Sequence, residues 1–320
     1  MRIAITGVAG FIGFHCACRL LEEGHEVFGL DNLNDYYDVG LKQDRLQILL
    51  EKGLQFKKLD LCDPEMSLFL LRVEPEVLVH LAAQAGVRYA SINPSAYTDS
   101  NLIGFFRILE WIRENPKVSL VYASSSSVYG NTAKVPFSER DPACQPESFY
   151  AATKRANELM AYSYHQTFGI TARGLRFFTV YGPWGRPDMA YFSFTKAFME
   201  NKPLKIFHGG KALRDYTYVS DIIEGLHAAI FSKKPFEIYN LGHHQPHSIL
   251  ELVDILEAYF GKKAELVFEE GPKGDVDRTF ADIDLAAQDL GFSPKVPLKE
   301  GMALFLDWFS SYHAGLKVGR

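Results

Sequence analysis

Tyr150 and Lys154 stand four residues apart, shortly after a run of four hydroxyls, Ser124 to Ser127, that closes a β-branched apolar stretch starting at Val118. On a helix this i, i+4 spacing puts phenol and ammonium on one face. A phenol, with an ordinary pKa of about 10, acts as a base near neutrality only if that value falls by about three units, or roughly 4 kcal/mol. One cation about 6 Å away supplies about 3 kcal/mol at an effective dielectric of 20. Lys154 therefore needs a second positive charge beside it. With both in place Tyr150 could remove a hydroxyl proton, while one of Ser125, Ser126 or Ser127 shares that hydroxyl as a hydrogen-bond partner. The spacing alone is weak, since 16 tyrosines make about one chance instance expected, and Tyr259 with Lys263 is a second. Only Tyr150 and Lys154 follow a hydroxyl-rich strand end, so Tyr259 and Lys263 are read as packing and solvent-facing residues.

The second cation is suggested at the N-terminus. Gly7-Val8-Ala9-Gly10-Phe11-Ile12-Gly13 follows the first apolar stretch directly and opens a helix. Such a G-x-x-G-x-x-G loop lets the backbone approach a pyrophosphate, and the free N–H groups and positive dipole end of the helix receive the anion. Asp31 follows Gly13 by eighteen residues, at the end of a second strand, where a carboxylate accepts the hydroxyls of an adenosine ribose. A 2'-phosphate about 4 Å from that carboxylate would be repelled by roughly 4 kcal/mol per charge. No Lys or Arg follows Asp31 before Lys42, so the expected cofactor is NAD rather than NADP, and its oxidised nicotinamide is the missing cation.

The elements that must position these groups alternate along the chain. Strands are expected at Arg2–Thr6, Glu26–Leu30, Gln55–Leu59, Val77–Leu81, Val118–Ser124 and Ala172–Phe178, with helices at Gly10–Gly24, Leu41–Lys52, Pro94–Arg113 and Ser148–Phe168. Almost wholly apolar strands alternating with amphipathic helices predict an α/β fold: a Rossmann-type, doubly wound parallel sheet that binds ligands at its carboxyl edge. After Phe178 a Gly/Pro-rich loop from Tyr181 to Asp188 opens a smaller, discontinuous C-terminal substrate-binding lobe. The expected division is 1–178 for the cofactor domain, with segments near 214–242 returning to it, and 179–320 mainly for the lobe. Glu237–Leu241 is expected as a further strand of the main sheet. Ser248 with Glu251 has capping-box spacing at the start of a helix to Phe260.

Composition narrows the partners. The chain has 320 residues, 47% of them hydrophobic and 23% charged, ordinary fractions for a soluble globule of one or two domains. Its 34 Lys+Arg against 39 Asp+Glu leave a net charge of -5, with no basic excess for nucleic acid or an anionic membrane. No apolar run approaches the eighteen or so residues of a membrane span. Glycines interrupt the apolar N-terminus, so a secretion signal is not expected. Cys16, Cys18, Cys62 and Cys144 form no CxxC pair, which fits a reducing cytoplasm. His243, His244 and His247 lie in a turn before a helix without carboxylate or cysteine spacing, so no metal is expected.

Taken with Asp60-Leu61, His80-Leu81-Ala82-Ala83 and Arg214-Asp215-Tyr216-Thr217-Tyr218-Val219, these motifs resemble the extended short-chain dehydrogenase/reductases of the nucleotide-sugar group over nearly the whole chain. Gly29 to Asp38, Gln84 to Tyr89 and Phe177 to Met189 are more narrowly similar to UDP-glucuronate 4-epimerases. The resemblance implies NAD contacts from Gly7, Gly10, Phe11, Ile12, Gly13, Asp31, Asn32, Asp60, Leu61, Leu81, Ala82, Ala83, Asn101, Tyr150, Lys154 and Phe177. It implies interconversion of UDP-glucuronate and UDP-galacturonate through a 4-keto sugar, with the hydride returned to the opposite face, for polysaccharide synthesis. Dehydratases and decarboxylases of this group carry an acidic residue one or two places beyond the catalytic hydroxyl; if that hydroxyl is Ser125, those places hold Ser126 and Ser127. Arg186, with Thr179 and Arg88, is expected to hold the sugar carboxylate by charge-assisted hydrogen bonds. Arg214 and Arg278 are expected at the diphosphate. Homodimerisation through paired helices is implied as well, and Leu102, Phe105, Phe106, Leu109 and Trp111 are read as core or dimer face. The alternatives are a UDP-glucose or UDP-N-acetylhexosamine 4-epimerase, a UDP-glucuronate decarboxylase, and a non-catalytic NAD-sensing regulator.

Overall fold

The computed structural model describes every residue except 132–133, 272–275 and 319–320. Its strands are β1 (Arg2–Thr6), β2 (Glu26–Asp31), β3 (Gln55–Lys58), β4 (Val77–His80), β5 (Ser119–Ser125), β6 (Ala172–Phe177), β7 (Thr179–Tyr181), β8 (Leu204–Phe207), β9 (Leu213–Tyr218), β10 (Phe236–Leu241), β11 (Pro246–Ser248) and β12 (Leu266–Glu269). Its helices are α1 (Phe11–Glu22), α2 (Val39–Glu51), α3 (Glu65–Val73), α4 (Pro94–Tyr97), α5 (Gly104–Glu114), α6 (Phe149–Phe168), α7 (Ala190–Met199), α8 (Val219–Phe231), α9 (Ile249–Phe260), α10 (Asp284–Leu290) and α11 (Leu298–Val318).

Seven strands form one sheet in the order β3-β2-β1-β4-β5-β6-β10, every neighbouring pair parallel. Alternate residues of a strand point to opposite faces. Ile3, Ile5, Val79 and Val121 therefore pack with Phe14 and Leu20 of α1 and Ile222 and Leu226 of α8. Ala4, Leu78 and Leu120 pack on the other side with Leu70 of α3 and Phe105 and Ile108 of α5. Burying each large apolar side chain contributes about 1.5–3 kcal/mol, which is why the middle positions of these strands are apolar and their polar residues gather at the ends. The order reverses between β1 and β4, the switch point where such sheets open a crevice beyond their carboxyl ends.

Phe236–Leu241 joins the main sheet beside β6, as expected. The segment from 213 to 218 does not: β9 lies in a small sheet with β7 and β11, and β8 pairs with β12 in another. The helix expected from Pro94 to Arg113 is interrupted by a π-helical turn, Thr98–Ile103. Ser248 and Glu251 form the capping box reciprocally, and Ser148 caps α6 by accepting the Ala151 N–H.

Candidate active site

The carboxyl ends of β1, β2, β4, β5 and β6 open onto one cavity of about 570 Å³. At one end is the glycine loop. Gly7 has a φ of +72°, and a Cβ there would lie 2.7 Å from the Ala82 backbone nitrogen, so only glycine lets the loop meet the end of β4 this closely. Helix α1 begins at Gly10 with no side-chain cap, which leaves its first N–H groups for an anion. Asp31 fixes the loop: its Oδ2 accepts the Ala9 N–H at 3.1 Å and its Oδ1 the Leu33 N–H at 2.8 Å. Each oxygen keeps a lone pair for a ribose hydroxyl. Asn32 donates to Asp60 Oδ2 at 2.8 Å, bridging β2 to the segment after β3. Gly7, Gly10, Phe11, Ile12, Gly13, Asp31, Asn32, Asp60, Leu61, Leu81, Ala82, Ala83 and Phe177 all line the cavity. The backbone cradle and ribose-facing carboxylate thus fit a dinucleotide.

At the other end α6 presents Tyr150 and Lys154, which line the cavity with Ser125, Ser126, Ser127, Thr179, Arg186 and Arg214. Lys154 Nζ donates to the Ala123 carbonyl of β5 at 2.9 Å, and burial lowers its pKa to about 8 despite Glu158 one turn further on. Burial pushes the Tyr150 phenol up; Arg186 opposes this first, and a hydrogen bond with Ser125 second. Arg186 is thus a cation acting on Tyr150 in addition to the two expected from the sequence. Of the three serines, Ser125 is the one whose hydroxyl acts to lower the Tyr150 phenol, and it accepts hydrogen bonds from Ser127 N (3.2 Å) and Ser127 Oγ (2.9 Å). Ser124 is turned away, donating to Glu158 Oε1 at 2.6 Å.

Glu158 anchors the wall behind this end. Burial raises its pKa, but the Arg176 fork at 2.7 and 2.8 Å, with Ser124 and Arg155, outweighs burial and holds it below the usual carboxylate range. Arg176 continues to the Tyr129 hydroxyl, which donates to Asn240 on β10. His80, at the end of β4, is pushed down to about 3 by burial, with Lys154 adding to the effect, and its Nδ1 lies 2.9 Å from Thr6 Oγ1.

Two expected contacts lie elsewhere. Asn101 does not line the cavity: its side chain accepts the Gln84 N–H and donates to Gln84 O and Thr153 Oγ1, so it ties the loop after β4 to α6. Arg278 forms a backbone bridge with Leu213 outside the lining, whereas Thr279 lines it. The Arg88 guanidinium lies over the Phe207 ring, 4.7 Å from its centroid. Lys42, which sequence spacing set aside as distant from Asp31, is folded back into the lining by α2; its ammonium donates to Asn34 O and Oδ1, both at 2.7 Å. Tyr259 donates to Asp307, and Lys263 pairs with Glu257.

The model of the NAD dependent epimerase/dehydratase family matches residues 3–242, three quarters of the chain. The chain belongs to that family. Over nearly its whole length it is similar to CapI of Staphylococcus aureus, 42% identical and covering 98% of this chain and 99% of that one. It is also similar to UDP-glucuronate 4-epimerase 4 of Arabidopsis thaliana, 44% identical over 99% of this chain and 77% of that protein. Among solved structures, UDP-glucuronic acid 4-epimerase from Bacillus cereus, in complex with UDP-glucuronic acid and NAD, superposes with a TM-score of 0.92 at 35% identity, covering 98% of this chain and all of that one.

Spacing did not single out Asp188, Tyr36 or Arg45 in this family member. Arg45, buried, donates to the carbonyls of Ala9, Trp184 and Gly185 and so ties the glycine loop to the loop carrying Arg186. Its only sequence signal is a charge on the inner face of an expected helix.

Proposed function

We propose that this chain is an NAD-dependent UDP-glucuronate 4-epimerase producing UDP-galacturonate. The observation that carries this reading is one continuous cavity joining the glycine loop and Asp31 to Tyr150, Ser125 and Lys154, with an arginine beside the phenol. In this reading Tyr150 takes the proton of the sugar 4-hydroxyl while Ser125 bonds the same oxygen. Arg186 and Lys154 stabilise the phenolate. NAD, when bound, supplies the remaining chemistry by accepting the C4 hydrogen as hydride and returning it to the other face of the ring. Between the two transfers the 4-keto sugar turns about its link to the diphosphate, which Arg214 faces, and Tyr150 gives the proton back.

The 4-keto uronic acid is a β-keto acid. If its C5–C6 bond aligns with the carbonyl π system, that bond breaks, carbon dioxide leaves, and the bonding pair passes into an enolate that takes a proton at C5. Arg186 and Thr179 hold the carboxylate out of that alignment, and Ser126 and Ser127 offer no carboxylic acid to assist the loss. Asn101 supports NAD through the Gln84 loop, and Arg278, whose backbone bridges Leu213 beside Arg214, is assigned with Arg214 to the diphosphate.

The protein works as a homodimer in this proposal. Ile103 and Phe106 on one side and Leu159 and Tyr162 of α6 on the other are exposed apolar residues on neighbouring helices, suited to a second copy. The four cysteines are unpaired, consistent with the cytoplasm, and no helix among the described residues is long and apolar enough to cross a membrane. The test is incubation with UDP-glucuronate and, separately, UDP-glucose, following the sugar by NMR. Conversion of UDP-glucuronate to UDP-galacturonate is expected. Faster conversion of UDP-glucose to UDP-galactose would overturn the assignment in favour of a neutral-sugar epimerase.

A further inference from the structure

Arg186 does not meet the cavity as a lone cation. Its Nε donates to Asp188 Oδ1 at 3.0 Å and its Nη2 to Asp188 Oδ2 at 2.6 Å, a two-point clamp. The Tyr36 hydroxyl donates to the same Asp188 Oδ2 at 3.1 Å. All three residues line the cavity, and the clamped side chains keep 22% and 28% of their surface exposed. The backbone favours this arrangement: Met189 N–H closes a tight turn on Arg186 O at 3.2 Å, while Arg45 holds the preceding carbonyls. Across the cavity Gly86 leaves the space, since a Cβ there would lie 2.4 Å from the Tyr36 hydroxyl and 3.6 Å from Asp188 Oδ2.

A guanidinium presents five N–H donors in a fixed plane, and Asp188 uses two. A second carboxylate can therefore bind only in the orientation the clamp leaves. We infer that Asp188, steadied by Tyr36, is a positioning residue: it sets the plane in which Arg186 receives the substrate carboxylate, and so decides between epimerisation and loss of carbon dioxide. The inference rests on the UDP-glucuronate reading above. An unclamped arginine still attracts the carboxylate, with less anionic repulsion nearby, but lets it rotate toward the aligned geometry in which C5–C6 breaks. Asp188 thus acts on the fate of the 4-keto sugar more than on substrate capture.

The experiment compares the wild-type protein with Asp188→Asn, Asp188→Glu and Tyr36→Phe, measuring NAD content, KM, kcat and carbon dioxide released per turnover on UDP-glucuronate. In Asp188→Asn, kcat for epimerisation should fall about 10–100-fold, the scale of a displaced contact at the reacting centre. Its KM should stay within about threefold and carbon dioxide per turnover should rise at least about fivefold. Asp188→Glu should recover most of the epimerisation, and Tyr36→Phe should shift the same quantities less. An Asp188→Asn protein with unchanged kcat and carbon dioxide release, or one altered only in KM, would overturn the inference while leaving the epimerase assignment intact. A wild-type protein that leaves UDP-glucuronate unchanged would overturn both.

Discussion

Lys154 is buried and Tyr150 half-buried, and desolvation acts against each charged form: it raises the phenol and lowers the ammonium to about 8. Arg186 is the main counterweight at Tyr150. Replacing Arg186 by Ala removes that cation and the carboxylate's partner together, so UDP-glucuronate turnover should drop about 10–100-fold, the worth of a charged hydrogen bond, while bound NAD is unchanged. Turnover at the wild-type rate would reject the role. Lys154 makes a separate prediction for the ligand-free protein. Above pH 8 the folded state has released a proton that the unfolded chain keeps until about 10.4. The unfolded state then binds more protons, so this group makes stability rise with pH across that window. Melting curves of the wild type and Lys154→Met between pH 7.5 and 9.5 should diverge in the wild type's favour as pH rises; parallel curves would contradict the shift.

The elements show how the residues are held. The π turn Thr98–Ile103 turns Asn101 inward to bond both backbone groups of Gln84 and the Thr153 hydroxyl. Asn101→Ala leaves those buried groups unpaired, which should cost about 1–3 kcal/mol. The change is read as a lower Tm together with weaker NAD retention, because the loop that Asn101 ties lines the cavity. An unaltered Tm would count against this account. Strands β1, β2 and β4 of the main sheet were legible in sequence because two-sided burial forces nearly continuous apolar runs, and α6 and α9 because Ser148 and Ser248 cap them. Helix α3 was not named, since Leu68 and Leu71 are exposed and blur its apolar stripe. The pairings of β8 with β12 and β7 with β9 join distant segments, and local pattern carries no record of them. Likewise, Tyr150, Lys154 and the glycine loop announce themselves by spacing, whereas Tyr36 and Asp188 meet only through the fold, 152 residues apart in sequence. Lys42 reaches the cavity by the same kind of return.

At the scale of the whole molecule, the cavity lies between the carboxyl edge of the main sheet and the smaller elements carrying Arg186, Phe207 and Arg214. The exposed apolar residues of α5 and α6 lie outside that cavity. In the proposed homodimer, Phe106→Glu combined with Leu159→Glu should shift dimer to monomer in analytical ultracentrifugation while NAD stays bound; a variant that remains dimeric, or a wild type that is already monomeric, would exclude this face. The proposed reaction turns on one hydrogen that leaves C4 and returns to the same carbon on the opposite face. Supplying UDP-glucuronate deuterated at C4 and examining the product by NMR and mass spectrometry tests it most directly. The expected product is UDP-galacturonate with the deuterium still on C4; label lost to water, or a pentose product replacing the uronic acid, would rule out an internal hydride return.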